Sequence, residues 1–126
     1  MFYRALILFI SINLHAQEYE INSDKVEINT ELNTITYIDN VRFNSNTIKF
    51  KADILNIDQT NEEFKATGNP IEIEFFDGKN YIEGEANLIE ISSNSLILKN
   101  EVTIIRSGNK ISSDKIVIKL SSDDQS

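Results

Sequence analysis

Carboxylates are the most plentiful charged groups in this chain, 20 Asp and Glu against 12 Lys and Arg, and three arrangements of them have the spacing of a possible site. Ser-Asp-Lys occurs twice, at Ser23-Asp24-Lys25 and at Ser113-Asp114-Lys115. Aspartates at recurring positions are most often turn residues that bond neighbouring backbone, so Asp24 and Asp114 read as structure first. Asp58-Gln59-Thr60-Asn61-Glu62 sets oxygen side chains at alternate positions, as a calcium loop does. It lacks the central glycine and the distal bidentate glutamate that complete such a loop. Glu72 and Glu74 resemble the carboxylate pairs of glycoside chemistry. They alternate with Ile71 and Ile73, however, which places them on the solvated face of a strand. The only histidine is His15, the only methionine is Met1, and cysteine and tryptophan are absent. Beyond residue 16 the chain has no imidazole base, no thiol nucleophile and no soft metal ligand. The reading is a non-enzyme: no catalytic residue, no metal and no cofactor.

What would position these groups is a repeat. Residues 21–28 (INSDKVEI) return as residues 111–118 (ISSDKIVI), with weaker echoes at residues 48–57 (IKFKADILNI) and 82–91 (IEGEANLIEI). Each copy gives an apolar residue, a small residue or turn, Asp or Asn, and then apolar residues two apart. A period of roughly 27–34 residues falls in the range of repeat architectures. Alternation with period two makes the unit a strand with one buried face. Segments rich in Asn, Asp, Ser and Gly recur every seven to ten residues or so and predict thirteen or fourteen short strands. No stretch after residue 16 keeps a helical period, and β-branched residues dominate. A second recurring element, Asp39-Asn40-Val41, Gly68-Asn69-Pro70 and Asn100-Glu101-Val102, puts a residue tolerant of left-handed backbone just before an outgoing strand. Each repeat is expected to turn a corner there, and Pro70 suits a bulge where no ladder hydrogen bond is lost.

Residues 1–16 stand apart. Arg4, a short apolar run over residues 5–14 and the small Ala16 read as a secretory signal cleaved after Ala16. The run is far shorter than the ~20 residues that span a bilayer. The expected organisation is a signal peptide at 1–16, one domain at 17–120 and a frayed polar tail at 121–126. Formal net charge is −8, and loss of Arg4 takes it from −8 to −9. That disfavours nucleic acid and anionic membrane surfaces. With no cysteine there is no disulfide, so a domain this small, able to bury only ~65% of its unfolded surface, depends on a continuous apolar interior.

Taken in order, Ile-x-Ser-Asp-Lys-Val at Ile21, Asp39-Asn40-Val41, Lys51-Ala52-Asp53, Ala66-Thr67-Gly68-Asn69-Pro70-Ile71, Ile82-Glu83-Gly84-Glu85-Ala86 and Ile111-Ser112-Ser113-Asp114-Lys115-Ile116 resemble the lipopolysaccharide transport periplasmic protein family (LptA, OstA-like). The resemblance covers essentially the whole chain after residue 16. It departs from the family in carrying Asp39 and Asn100 where glycine is common. It implies an all-β fold, a slightly twisted open β-jellyroll of successive antiparallel strands, whose interior holds lipid acyl chains. It also implies end-to-end stacking between inner-membrane and outer-membrane components of a lipopolysaccharide transport machine, in the periplasm.

On that footing the lipid-binding groove is expected at Phe43, Phe50, Leu55, Ile57, Phe64, Ile73, Phe75, Ile89, Ile91, Leu98 and Ile104. Head-to-tail edges are expected at Ile21, Val26, Ile28, Ile116, Ile118 and Leu120. The physics agrees with the resemblance, since each buried methylene contributes about 0.8 kcal/mol. Lipid A headgroups are anionic like the chain, so they are expected near solvent or near Lys49, Lys51 and Lys65. Two alternatives stand beside this reading. One is a structural β-jellyroll that polymerises without lipid, its apolar residues filling one another's space; the other is a membrane-anchored member of the same machine.

Overall fold

The structure, a computed structural model, describes residues 18–120, so the expected leader and polar tail lie outside the described residues. Eight strands follow one another: β1 (Tyr19–Asn22), β2 (Lys25–Asn29), β3 (Thr34–Ser45), β4 (Ile48–Asp58), β5 (Glu63–Phe76), β6 (Tyr81–Ile91), β7 (Ser95–Arg106) and β8 (Asn109–Lys119). All pair antiparallel in one sheet, with β1 and β2 sharing the outer side of β3 and each later strand beside its predecessor. The sheet has two free edges, β1–β2 at the N-terminal side and β8 at the C-terminal side.

The count of eight corrects the expected thirteen or fourteen. Most of the short apolar runs seen in sequence are halves of long strands, joined through the corner and not separated by it. The corners themselves are real. Register shifts interrupt each pairing at the same level: between Ile38 and Val41, Lys51 and Ile54, Thr67 and Ile71, Glu85 and Leu88, and Lys99 and Val102. In β3, β5 and β7 the extra residues are Asp39-Asn40, Gly68-Asn69-Pro70 and Asn100-Glu101, opposite single residues on the even strands. Extra residues on one strand of a pair bend it and sharpen its twist. Asp39 and Asn40 have φ of 67° and 54°, and Asn100 and Glu101 have 69° and 55°. Asp and Asn thus adopt here the left-handed backbone that a glycine would adopt most cheaply. The Asn69–Pro70 peptide is cis.

A line of bulges across the sheet folds it into two leaves. The upper leaf comprises β1 and residues 41–45, 48–51, 71–76, 81–86, 102–106 and 109–113. The lower leaf comprises β2 and residues 34–38, 54–58, 63–67, 88–91, 95–99 and 115–119. The recurring small residue followed by Asp or Asn lies on this line, as Ser23-Asp24, Ala52-Asp53, Ala86-Asn87 and Ser113-Asp114. Ala52 and Ala86 are buried, where the leaves converge and a larger side chain has no room. Asp24 ties the break between β1 and β2 to the bulge of β3: its backbone N–H donates to Asp39 O at 2.9 Å, and its carboxylate accepts from Asn40 Nδ2 at 2.7 Å. The local backbone bond in the Ser-Asp-Lys motif comes from the serine, not the aspartate. Ser23 Oγ donates to Lys25 O and Ser113 Oγ to Lys115 O, at 3.0 and 3.1 Å.

Candidate functional site

Paired residues in an antiparallel ladder point to the same side, so the register reads out the inner face row by row. On the lower leaf one row runs Ile28, Ile35, Ile57, Phe64, Ile91, Leu96, Ile118. The next runs Val26, Tyr37, Leu55, Ala66, Ile89, Leu98, Ile116. On the upper leaf a row runs Ile21, Phe43, Phe50, Ile73, Gly84, Ile104, Ile111. Ile48, Phe75 and Ile82 lie along its rim. No row contains a charge. The strands cross the trough at right angles to these rows, so an apolar track runs the length of the sheet from edge to edge.

All eleven expected groove residues lie on this inner face. Phe43, Phe50, Leu55, Ile57, Ile73, Phe75, Ile89, Leu98 and Ile104 are buried, and Phe64 and Ile91 are half-buried at the lower rim. Val41, Ile71 and Val102 belong with them, each the first inward residue after a bulge. The leaves meet: Phe64 of the lower leaf sits edge-on to Phe43 of the upper leaf at 5.8 Å and to Tyr19 at 5.5 Å. Phe43 in turn stacks on Phe50 at 4.9 Å and on Tyr19 at 5.4 Å. Gly84 leaves space that its neighbour fills, for a Cβ there would come within 2.7 Å of Ile104 Cγ2 and 2.9 Å of the Thr103 carbonyl oxygen.

Burial falls away toward the edges. Leu55 and Leu98 have 0% exposure, whereas Val26 in their row and Ile28 in the neighbouring row have 49% and 68%. At the other edge Ile111 is exposed and Ile116, Ile118 and Leu120 are half-buried. Ile21 is half-buried.

The outer face is polar and unevenly charged. Lys49 pairs in register with Glu74 and Lys51 with Glu72, while Lys65 lies between Asn56 and Glu90. These three lysines therefore stand on the outside of the sheet and do not line the trough. Glu72 faces Glu85 and Glu74 faces Glu83 across β5 and β6, two like-charge pairs that favour a solvated surface. Asp58 is absorbed by its own turn, accepting from the backbone of Thr60 and Asn61 and from Asn61 Nδ2 at 2.8 Å. Those bonds, chiefly that from the Asn61 side chain, hold its carboxyl below the usual carboxylate range. Asp77 repeats the device, accepting from the backbone of Asn80 and Lys79, and also binds Arg106 at 3.1 Å. Burial pushes the Tyr19 phenol up to about 12, with the nearby Tyr37 adding to it, and burial raises Tyr37 as well. In the sequence these two tyrosines fit the period-two alternation like any apolar residue. Their signal was the hydroxyl on an inward-facing position.

An open, folded antiparallel sheet whose inner rows carry no charge defines an open β-jellyroll. Residues 20–124 match the family described as LptA/(LptD N-terminal domain) LPS transport protein, and the chain belongs to that family of carriers, which are not enzymes. Among solved structures it resembles LptH, the LptA-homologous periplasmic component of the conserved lipopolysaccharide transport device from Pseudomonas aeruginosa. The TM-score is 0.72 at 19% identity, covering 80% of this chain and 75% of that one. Comparison with curated proteins gives no match.

Proposed function

We propose that this chain is a periplasmic bridge component that carries lipopolysaccharide from the inner to the outer membrane by holding its acyl chains between the two leaves. The observation that carries the reading is the set of charge-free rows running from β1–β2 to β8, with burial falling away toward both edges. A track of this kind accepts alkyl chains along its length, and headgroups stay at the mouth between the rims.

Stacking follows from the edges. Six antiparallel steps separate β1–β2 from β8, so the two edges run in the same direction. Joining β8 of one copy to β1–β2 of the next makes a parallel pair in which the two Ser-Asp corners align. Ile111 then falls beside Ile21, and Ile116 and Ile118 beside Val26 and Ile28. The joint covers both edges and continues the apolar rows by β-augmentation. Being heterologous, it generates open chains of copies.

A photo-crosslinker at position 55 or 73 is expected to capture lipid in a cell making lipopolysaccharide, and one at position 72 or 74 is not. Capture only from 72 and 74 would overturn the trough. A second reading, a polymerising scaffold without lipid, draws on the close packing of Leu55, Ile71, Leu96 and Leu98. Native mass spectrometry of periplasmically purified protein separates the two, because only the first brings lipid with it.

A further inference from the structure

Among the described residues the inner face has two phenols, Tyr19 and Tyr37, both at the N-terminal end of the trough and one from each leaf. Tyr19 packs its ring on Phe43 and Phe64, and Tyr37 stands between Val26 and Leu55. Tyr37 is half-buried and Tyr19 is 40% exposed, and the Tyr37 phenol adds to the upward shift of Tyr19. Neither has a hydrogen-bond partner among the described residues. A tyrosine with an apolar body and an unsatisfied tip suits a boundary where one end is greasy and the other wet. Here that boundary is the mouth of the trough, beside the exposed Val26 and Ile28.

We propose that Tyr19 and Tyr37 form a hydrogen-bonding subsite for the ester or amide carbonyls that join acyl chains to a lipid headgroup; this rests on the trough reading above. Such carbonyls accept hydrogen bonds and cannot donate them, so the subsite must offer donors. Inner-face lysine or arginine is absent from the rows described, and the phenols are the donors at that depth. Their burial keeps them protonated, and so able to donate, well above neutral pH. The C-terminal end, with Ile111, Ile116 and Ile118, offers alkyl contact alone. The lipid's linkage region is therefore read at one end of each subunit.

The test measures binding of lipid A, and of a synthetic analogue with ether links in place of the acyl carbonyls, to the full chain and to Tyr19→Phe, Tyr37→Phe and the double variant. Phenylalanine keeps the ring packing and removes only the donor. Wild type is expected to prefer the carbonyl-bearing lipid, and each substitution to weaken that lipid by roughly fivefold while leaving the ether analogue unchanged. Carbonyl-labelled lipid A is expected to show a lowered carbonyl stretching frequency in wild type and not in the double variant. Tyr81→Phe, on the outer face, serves as the unchanged control. Equal binding of both lipids by all variants would overturn the subsite and leave the trough standing. No binding of either lipid by wild type would overturn the trough reading and the subsite with it.

Discussion

The two ends of the trough are built from nearly the same eight residues and behave differently. At the N-terminal edge, residues 21–28 split into two short strands around Ser23-Asp24, and Val26 and Ile28 stand open beside an aromatic wall of Tyr19, Phe43 and Phe64. At the C-terminal edge, residues 111–118 lie within one continuous strand, β8, whose Ile116 and Ile118 lean on the aliphatic Leu98 and Leu96. Both copies keep the serine bond to the lysine carbonyl, so local chemistry is shared. Their neighbours differ. Val26 and Ile28 rest only on the half-buried Tyr37 and Ile35, whereas Ile116 and Ile118 rest on two fully buried leucines. A repeat motif thus sets where the chain bends, and its partner strand sets how much of it is covered.

The largest effect separates the middle from both ends. Leu98→Asp places an unpaired charge where there is 0% exposure and is expected to unfold the domain, at a cost of several kcal/mol. Ile28→Asp, in a neighbouring row but 68% exposed, is expected to leave folding nearly unchanged while blocking assembly. Urea unfolding and sedimentation of the two variants check both halves of that statement.

Ala86→Leu tests the fold line between the ends. Ala86 is fully buried where the leaves converge, so the larger side chain is expected to cost about 1–3 kcal/mol by overpacking. A lowered urea midpoint with an unchanged slope is the signature.

Val117→Pro removes an outward-facing donor of the C-terminal edge, because Leu120 N–H donates inward to Asn94 O and residues 118 and 120 share that inward side, and it should cap chain growth while the subunit stays folded. Analytical ultracentrifugation over a wide concentration range is expected to show wild-type species of variable length and a short limit for the variant. A strictly monomeric wild type, or a closed dimer indifferent to the substitution, would sink the parallel joint.

The smallest effect belongs to Tyr19. Its folded value of about 12 lies above the ordinary 10.0, so between those values the native state keeps a proton that the unfolded chain has lost. Stability therefore falls as pH rises from about 10 toward 12, and Tyr19→Phe is expected to flatten that fall. Below pH 10 the two proteins should have the same pH dependence. Unfolding measured as a function of pH, with phenolate absorbance followed in parallel, reports it.

Sequence by itself determined the class of fold, the apolar face and the corners. Alternation as in Ile71-Glu72-Ile73-Glu74 assigns each side chain to a face without reference to any other strand, because the pleat has period two. Asp39-Asn40 and Asn100-Glu101 announced the bends because few residues accept left-handed backbone. What only the tertiary structure decided was continuity and partnership. Whether two apolar runs flanking a bend are two strands or one depends on whether the neighbouring strand bends at the same level, which is a non-local condition. Likewise nothing local marks Tyr19 and Tyr37 as lying at the same end of one trough on different leaves, or shows that Lys49 and Lys51 stand opposite Glu74 and Glu72, since those relations exist only once the strands have paired in register.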